Sequence, residues 1–277
     1  MNQTSSLLPQ RSVISLSGTD TVPFLQGLVS NDVTRATADQ AIYAAQLTPQ
    51  GRFLHDMFVL AKDDELWLDC AAAHADALIA KLNKYKLRSA VTLHDRRNSH
   101  GVALGDTAGF LNYADTRHPA LPARSILPRV TLPAADEEYL AGYERQRLKI
   151  GVPDGEHDLI VGETLLLEAN FDYLNGVDFY KGCYLGQEMT ARTHFRKLIK
   201  RRLVPVRCRN GACPPAGTPL MSAGQAVGIM RSSLNELGLA LLNLGTIISG
   251  AEVSAGERVL LPQRPDWLPA DVMAIGA

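Results

Sequence analysis

Residues 179–193 read Phe179-Tyr-Lys-Gly-Cys-Tyr-Leu-Gly-Gln-Glu-Met-Thr-Ala-Arg-Thr193. Two glycines, Gly182 and Gly186, frame a cysteine, Cys183. Glycine lets a backbone turn tightly and approach a ligand. A thiol becomes reactive where positive charge or a helix N-terminus lowers its pKa. Lys181 lies two residues before Cys183, and Arg192 is close in sequence. A thiolate in this setting can ligate iron, carry persulfide or accept a one-carbon unit. The alternative is a buried structural cysteine, the common fate of a lone one. Taken alone, Cys183 favours that second reading; within the whole glycine-flanked signature the first is preferred, with Cys183 and Lys181 as the candidate catalytic pair.

Upstream of this stretch the periods alternate between strand and helix. Val13 to Leu16 reads as a short strand, followed by cap residues at Gly18-Thr-Asp20 and a helix whose first turn holds Pro23. Phe24, Leu25 and Leu28 fall on one face of it. Thr48-Pro-Gln-Gly51 has Pro and Gly where a type I turn wants them. It joins a strand ending near Leu47 to one over 53–60. A polar turn at Lys62-Asp-Asp-Glu65 leads to a third strand, 66–70. Ala75, Leu78, Ile79, Leu82 and Tyr85 recur at helical spacing. Residues 89–94 return to a strand pattern, and 106–133 read as loops with short strands. Asp136 caps a helix running through Lys149, with Gly151 and Pro153 as its stop signal.

Downstream, short strands over 204–208, 220–222, 225–230, 237–242 and 258–261 alternate with Gly- and Pro-rich turns. That spacing suggests a small barrel or sandwich. The expected division is 1–196, two interwoven α+β lobes, and 197–277, a β-barrel lobe.

The 277 residues suffice for one large or several small domains. With 46% hydrophobic and 21% charged residues, the chain is neither disordered nor fibrous. Lys and Arg number 28 against 29 Asp and Glu, a formal charge of −1, so net charge names no polyanionic partner. The cysteines, Cys70, Cys183, Cys208 and Cys213, form no Cys-x-x-Cys pair. The start, Met1-Asn-Gln-Thr-Ser-Ser, lacks the basic and apolar runs of a secretion signal. No apolar run approaches the ~20 residues that cross a bilayer. Reduced thiols, no membrane span and a cytoplasmic location are the expectation.

The stretch Lys181-Gly-Cys-Tyr-Leu-Gly-Gln-Glu188 resembles the K-G-C-Y-x-G-Q-E signature of the YgfZ/Iba-type branch of the glycine-cleavage T-protein superfamily. Every fixed position is filled. The resemblance runs along most of the chain. It includes Leu16-Ser-Gly-Thr-Asp20, Phe24-Leu-Gln26, Asn31-Asp-Val33, Tyr43 through Gly51 with His55-Asp56, Gly151-Val-Pro-Asp-Gly155, Leu167-Glu-Ala-Asn170, Ala223-Gly-Gln-Ala-Val-Gly228 and Gly238-Leu-Ala-Leu-Leu242. Thr-Ala-Arg-Thr-His194 looks more like mitochondrial-type members than enterobacterial ones. The resemblance implies an α+β fold of three lobes in a ring, with a C-terminal small β-barrel. It also implies tetrahydrofolate as bound cofactor, no permanent metal, and a monomer.

Within that resemblance, Leu167-Glu168-Ala169 resembles the context in which T-protein relatives recognise the pterin. Glu168 is the pterin-edge candidate; the alternative is a solvated strand-end charge. Gln187 and Glu188 offer further amide and carboxylate partners. Aromatic rings stack on a flat pterin, and Tyr184 and Tyr143 are the candidates. Tyr143 corresponds to a folate-contacting Trp of enterobacterial relatives. With Tyr139 it also makes an i, i+4 packing pair. Arg192 heads a basic run, Arg196, Lys197, Lys200, Arg201 and Arg202, suited to a folate glutamate tail, to RNA phosphates, or to a solvated face. No aromatic interleaving supports nucleic acid. Asp76 can be laid over a catalytic Asp of the aminomethyltransferases, but the Asn-Ala context is missing.

Three functions are expected to compete. The first is a tetrahydrofolate-binding factor for assembly or repair of [4Fe–4S] clusters, working with A-type scaffold proteins and client enzymes. The second is an aminomethyltransferase or other folate-dependent one-carbon enzyme. The third is a non-enzymatic RNA- or protein-binding module.

Overall fold

The computed structural model describes residues 4–105, 107, 109–249 and 251–270. The chain divides into two compact units that interleave in sequence. One runs through Tyr143 and adds Leu174–Gln187. The other comprises Glu144–Tyr173 and the chain from Glu188 onward.

The first unit contains strands β1 (Ser5–Leu7), β2 (Arg11–Ser17), β3 (Ile42–Leu47), β4 (Phe53–Lys62), β5 (Glu65–Ala71), β6 (Thr92–Asp95), β7 (His100–Gly105), β8 (Leu111–Tyr113) and β9 (Arg124–Pro128). Its helices are α1 (Thr21–Gln26) and α2 (Ala75–Lys86). The strands form two antiparallel sheets, ordered β3-β4-β5-β2-β6 and β1-β7-β9-β8. The expected turn at 48–51 joins β3 to β4, where the Gly51 N–H donates to Thr48 O at 2.9 Å.

Alternation along the five-stranded sheet separates two cores. Ile14, Ala44, Met57, Val59 and Leu68 point to one face, covered by Leu25 of α1 and by Ala75, Leu78 and Leu82 of α2. Each such leucine, fully buried, contributes roughly 1.5–3 kcal/mol. On the opposite face Tyr43 pairs in register with Phe58, and Phe58 with Asp69. This second core is charged as well as aromatic. Asp69 accepts from Arg11 Nε at 2.6 Å, from the Tyr113 hydroxyl at 2.8 Å and from Arg124 Nε at 2.9 Å. Arg117 pairs with Asp115 at 2.7 Å, and its guanidinium lies 5.3 Å from the Phe58 ring centre. Aromatic faces and carboxylates thus share the desolvation of the arginines.

Local expectations fail where side chains find distant partners. Asp20 does not cap α1; its carboxylate accepts the Ala90 N–H at 2.7 Å. The 88–91 segment is consequently a turn, and the strand expected over 89–94 starts at Thr92. Leu28 lies beyond the end of α1 but still enters the apolar core.

Helix α3 (Glu137–Ile150) begins where Asp136 Oδ1 accepts the Tyr139 N–H at 3.0 Å, as the sequence predicts. It stops at Gly151, whose φ of +79° packs the backbone against the rings of Pro205 and Pro265. Helix α4 (Gln187–Phe195) follows the glycine-framed motif.

The second unit is built on strands β10 (Arg201–Cys208), β11 (Pro219–Ser222), β12 (Gln225–Leu234), β13 (Leu237–Asn243), β14 (Val253–Ala255) and β15 (Arg258–Pro262), with α5 (Leu244–Ile248) after β13. They close into a six-stranded barrel, β10-β13-β12-β11-β14-β15. Closure leaves no unpaired edge. Val204, Leu220, Met230, Leu242, Val253 and Leu260 fill its interior. Two buried arginines tie irregular chain to this barrel. Arg147 reaches Asp158 at 2.6 Å and Ser232 Oγ at 3.0 Å. Arg202 reaches Asp172 at 2.8 Å and Leu167 O at 2.8 Å.

His157 supplies a pH dependence. Its Nδ1 lies 3.0 Å from Asp154 Oδ1, and that hydrogen bond raises the imidazole pKa from 6.5 to about 9. A base whose folded pKa is raised stabilises fully below its unfolded pKa and loses that contribution as pH climbs through the folded one. More than half the side chain is exposed, so solvent screening limits the gain to roughly 0.5 kcal/mol. Urea unfolding followed at Trp267 should show wild type ahead of His157→Gln at pH 6, with the gap closed by pH 9.5. Parallel pH curves for the two proteins would refute the pairing.

Candidate functional site: a pinned cysteine loop and a cationic cleft

The segment 175–187 is laced to the loop after α1. The Ser30 hydroxyl donates to Gly176 O at 2.6 Å, and Asn31 Nδ2 to Asn175 O at 2.7 Å. The Asp178 N–H donates to Ser30 O at 3.0 Å, and Arg35 pairs with its carboxylate at 2.9 Å. The Lys181 ammonium donates to three carbonyls, Gln26 O at 2.7 Å, Val29 O at 2.6 Å and Asn31 O at 2.8 Å. Burial draws its pKa down to about 8, against the pull of Asp32 and Asp178. Nζ also stands 5.2 Å from the Tyr184 ring centre. All three N–H groups of the ammonium are engaged. Its hydrogen bonds thus go to backbone carbonyls of the loop after α1.

Cys183 is exposed, whereas Cys70, Cys208 and Cys213 are buried, and all four are free thiols. Burial pushes the Cys70 thiol up to about 12 and Cys213 to about 11. A buried thiol of raised pKa is inert at neutral pH. Cys183 is therefore the one cysteine presented to solvent. Gly182 and Gly186, at φ of +96° and +83°, turn the chain on either side of it. Gly186 sits against the 47–51 turn, where a Cβ would collide with Thr48 O. The Leu185 N–H donates to Gly27 O at 3.0 Å. Gln187 Oε1 reaches back to the Tyr184 N–H at 3.1 Å, as at a helix start. Gln187 thus shapes the loop, while Glu188 is exposed in the first turn of α4. Tyr184 is buried against the lysine.

The other candidates lie elsewhere. Glu168 and Arg192 line a cleft of about 630 Å³ in the second unit, with Leu165, Leu167, Met189 and Leu198 as apolar wall and Lys200 and Arg201 as further cations. Glu168 is 8% exposed and accepts from Arg201 Nε at 3.0 Å. It is not a solvated strand-end charge. Tyr143 is buried in the first unit, its hydroxyl accepting from Arg117 at 3.1 Å. That placement corrects the expectation of a ring open to a pterin: it joins the charged core. The basic run is not one face, because Arg202 is fully buried on Asp172. Asp76 lies exposed on α2, paired with Arg97 at 2.6 Å. Among the described residues no group of three or more His, Cys, Asp and Glu is placed to hold a metal ion, and no helix is long and apolar enough to cross a membrane. Sequence reading missed Gln26 and Asn31 as loop partners; their only signal was membership of a block shared with the family.

Two compact units, one of them built on a closed C-terminal barrel, make up a T-protein-like fold. The structure of glycine cleavage system aminomethyltransferase T from Bartonella henselae matches 95% of this chain and 86% of that one, with TM-score 0.76 at 14% identity, a likeness of fold. Residues 200–270 match the family described as CAF17, C-terminal beta-barrel domain. An iron–sulfur cluster assembly factor IBA57 homologue of Mycosarcoma maydis is 31% identical over 95% of this chain and 84% of its own length. The human and mouse IBA57 proteins are 31% and 30% identical over the same shares. The chain belongs to the IBA57 family of iron–sulfur cluster assembly factors. These relatives are named as mitochondrial, which overturns the expectation of a cytoplasmic location.

Proposed function

We propose that this protein assembles or repairs [4Fe–4S] clusters in client enzymes, with Cys183 as its working thiol and tetrahydrofolate as its cofactor. The observation that carries the reading is the exposure of Cys183 on a loop pinned at both ends. The other three cysteines are buried. The cluster is cargo passed to clients, and A-type scaffold proteins are the proposed source. The thiol acts as ligand or acceptor during that passage.

The second unit's cleft fits a folate in kind. Its volume lies in the range of small-ligand sites, roughly 300–1,000 Å³. Glu168 matches the donor edge of a pterin, the leucines and Met189 its ring system, and Arg192 and Lys200 a glutamate tail. Bound tetrahydrofolate supplies a carrier for one-carbon units; the residues here bind and orient it. The aminomethyltransferase reading has the fold likeness alone, since Asp76 is exposed and ion-paired.

Cells lacking the endogenous factor, supplied with wild type or Cys183→Ser, test the thiol's role. The serine protein should lose at least about tenfold in restored [4Fe–4S] enzyme activity, with an unchanged melting temperature. Full rescue would remove Cys183 from the function. Titration with tetrahydrofolate should quench the intrinsic fluorescence of wild type and fail in Glu168→Gln; equal binding by both would move the cofactor out of this cleft.

A further inference from the structure

We propose that Lys181 is a positioning residue, whose ammonium knots the carbonyls of Gln26, Val29 and Asn31 to the motif and so fixes how Cys183 is displayed. The inference deepens the proposed role of Cys183 and rests on it. Its basis is geometric. The chain leaves α1 with unpaired carbonyls, as every helix end does. Three carbonyls of residues 26–31 converge within 2.6–2.8 Å of one nitrogen. An ammonium offers three N–H groups in a tripod and matches such a nest. A guanidinium is a planar fork and does not.

The knot is one half of a bracket. Gln26 Nε2 donates to Lys181 O at 3.4 Å, closing a return contact between the same two segments. At the far end, the Leu185 N–H donates to Gly27 O at 3.0 Å. Residues 181 and 185 are thus both fastened to the 26–31 loop, with Cys183 midway between them. Gly182 lies inside the bracket, where a Cβ would meet nothing within 4 Å, while the buried Tyr184, its N–H on Gln187 Oε1, holds the other side of Cys183. With its N–H groups spent on carbonyls, the ammonium acts on the thiol through the backbone.

The test separates a positioning lysine from a counter-charge. Purified wild type, Lys181→Met and Lys181→Arg are alkylated with iodoacetamide across pH 6–10, and Cys183 labelling is read by mass spectrometry. Cys70, Cys208 and Cys213 serve as buried controls. Hydrogen exchange is followed over 26–31 and 181–185. In Lys181→Met the two segments should exchange about tenfold faster or more, while the barrel strands stay protected. The midpoint of the Cys183 alkylation profile should coincide with that of wild type. Lys181→Arg should loosen the same segments although it keeps the charge, and it carries the test if the methionine variant does not fold. A midpoint that climbs by about one unit in Lys181→Met would make the lysine a counter-charge and overturn the proposal. Unchanged exchange in both variants would overturn it as well. These readouts say nothing about clusters. Rescue of clients by Cys183→Ser would therefore sink the thiol's function and leave the knot standing.

Discussion

Asp69→Ala is expected to lose roughly 3–5 kcal/mol, enough to unfold the first unit under conditions where wild type is stable. Asp69 is fully buried and accepts from Arg11, Tyr113 and Arg124. Burial alone would raise its carboxyl pKa, but Arg11 and Arg124 prevail and hold it below the usual carboxylate range. Alanine removes the anion and leaves two guanidinium groups in the interior, with only Asp56 and Asp115 nearby to share. The cost is that of uncompensated buried charge. Trp67 stands on β5 beside Asp69's neighbour Leu68, so its fluorescence reports this unit in urea. A wild-type unfolding midpoint would show that Asp69 is dispensable to the core. The same linkage fixes the sign with pH: a depressed carboxyl stabilises above its unfolded pKa, so this contribution fades in acid below about pH 4.

Gly186→Ala comes next, at roughly 2–4 kcal/mol, from a backbone conformation that L residues avoid combined with a steric clash. At φ +83° the new Cβ would overlap Thr48 O and lie 2.9 Å from Leu47 Cβ. The first of these is backbone within the tight 48–51 turn and cannot swing aside. The motif must therefore lift off β3, carrying Cys183 with it. Gly182→Ala is the matched control. Its φ of +96° is also strained, yet a Cβ there meets nothing within 4 Å. It should cost only about 1 kcal/mol. Thermal melts of the two variants give the comparison, and hydrogen exchange over 47–51 locates the damage. Equal losses for the two would mean that strain alone, and not the seat under Gly186, explains the glycine.

Period and punctuation carried the sequence reading furthest. The β3–β4 hairpin, α2 and the barrel strands β10 to β13 stand where alternation or helical spacing put them. These are local properties, set by which face of an element must leave water. Helix α3 followed from its cap residue and its terminal glycine for the same reason. The motif's glycines and its cysteine were legible too, since backbone freedom and thiol chemistry belong to single residues.

Partnership was not legible. β1, β7 and β14 are short or depend on pairing with strands far along the chain, and no local pattern announces them. Asp20 reads as a cap and bonds instead to a segment 70 residues away. Tyr143 reads as a stacking ring and closes a charged core.

Lys181 draws the line most clearly. From the sequence alone came its charge, its place two residues from a cysteine, and the family in which that spacing occurs. Only the tertiary structure decided what the charge is spent on. Three carbonyls 150 to 155 residues upstream converge on it, and an ammonium drawn out of water binds the nearest acceptors that can replace its hydration.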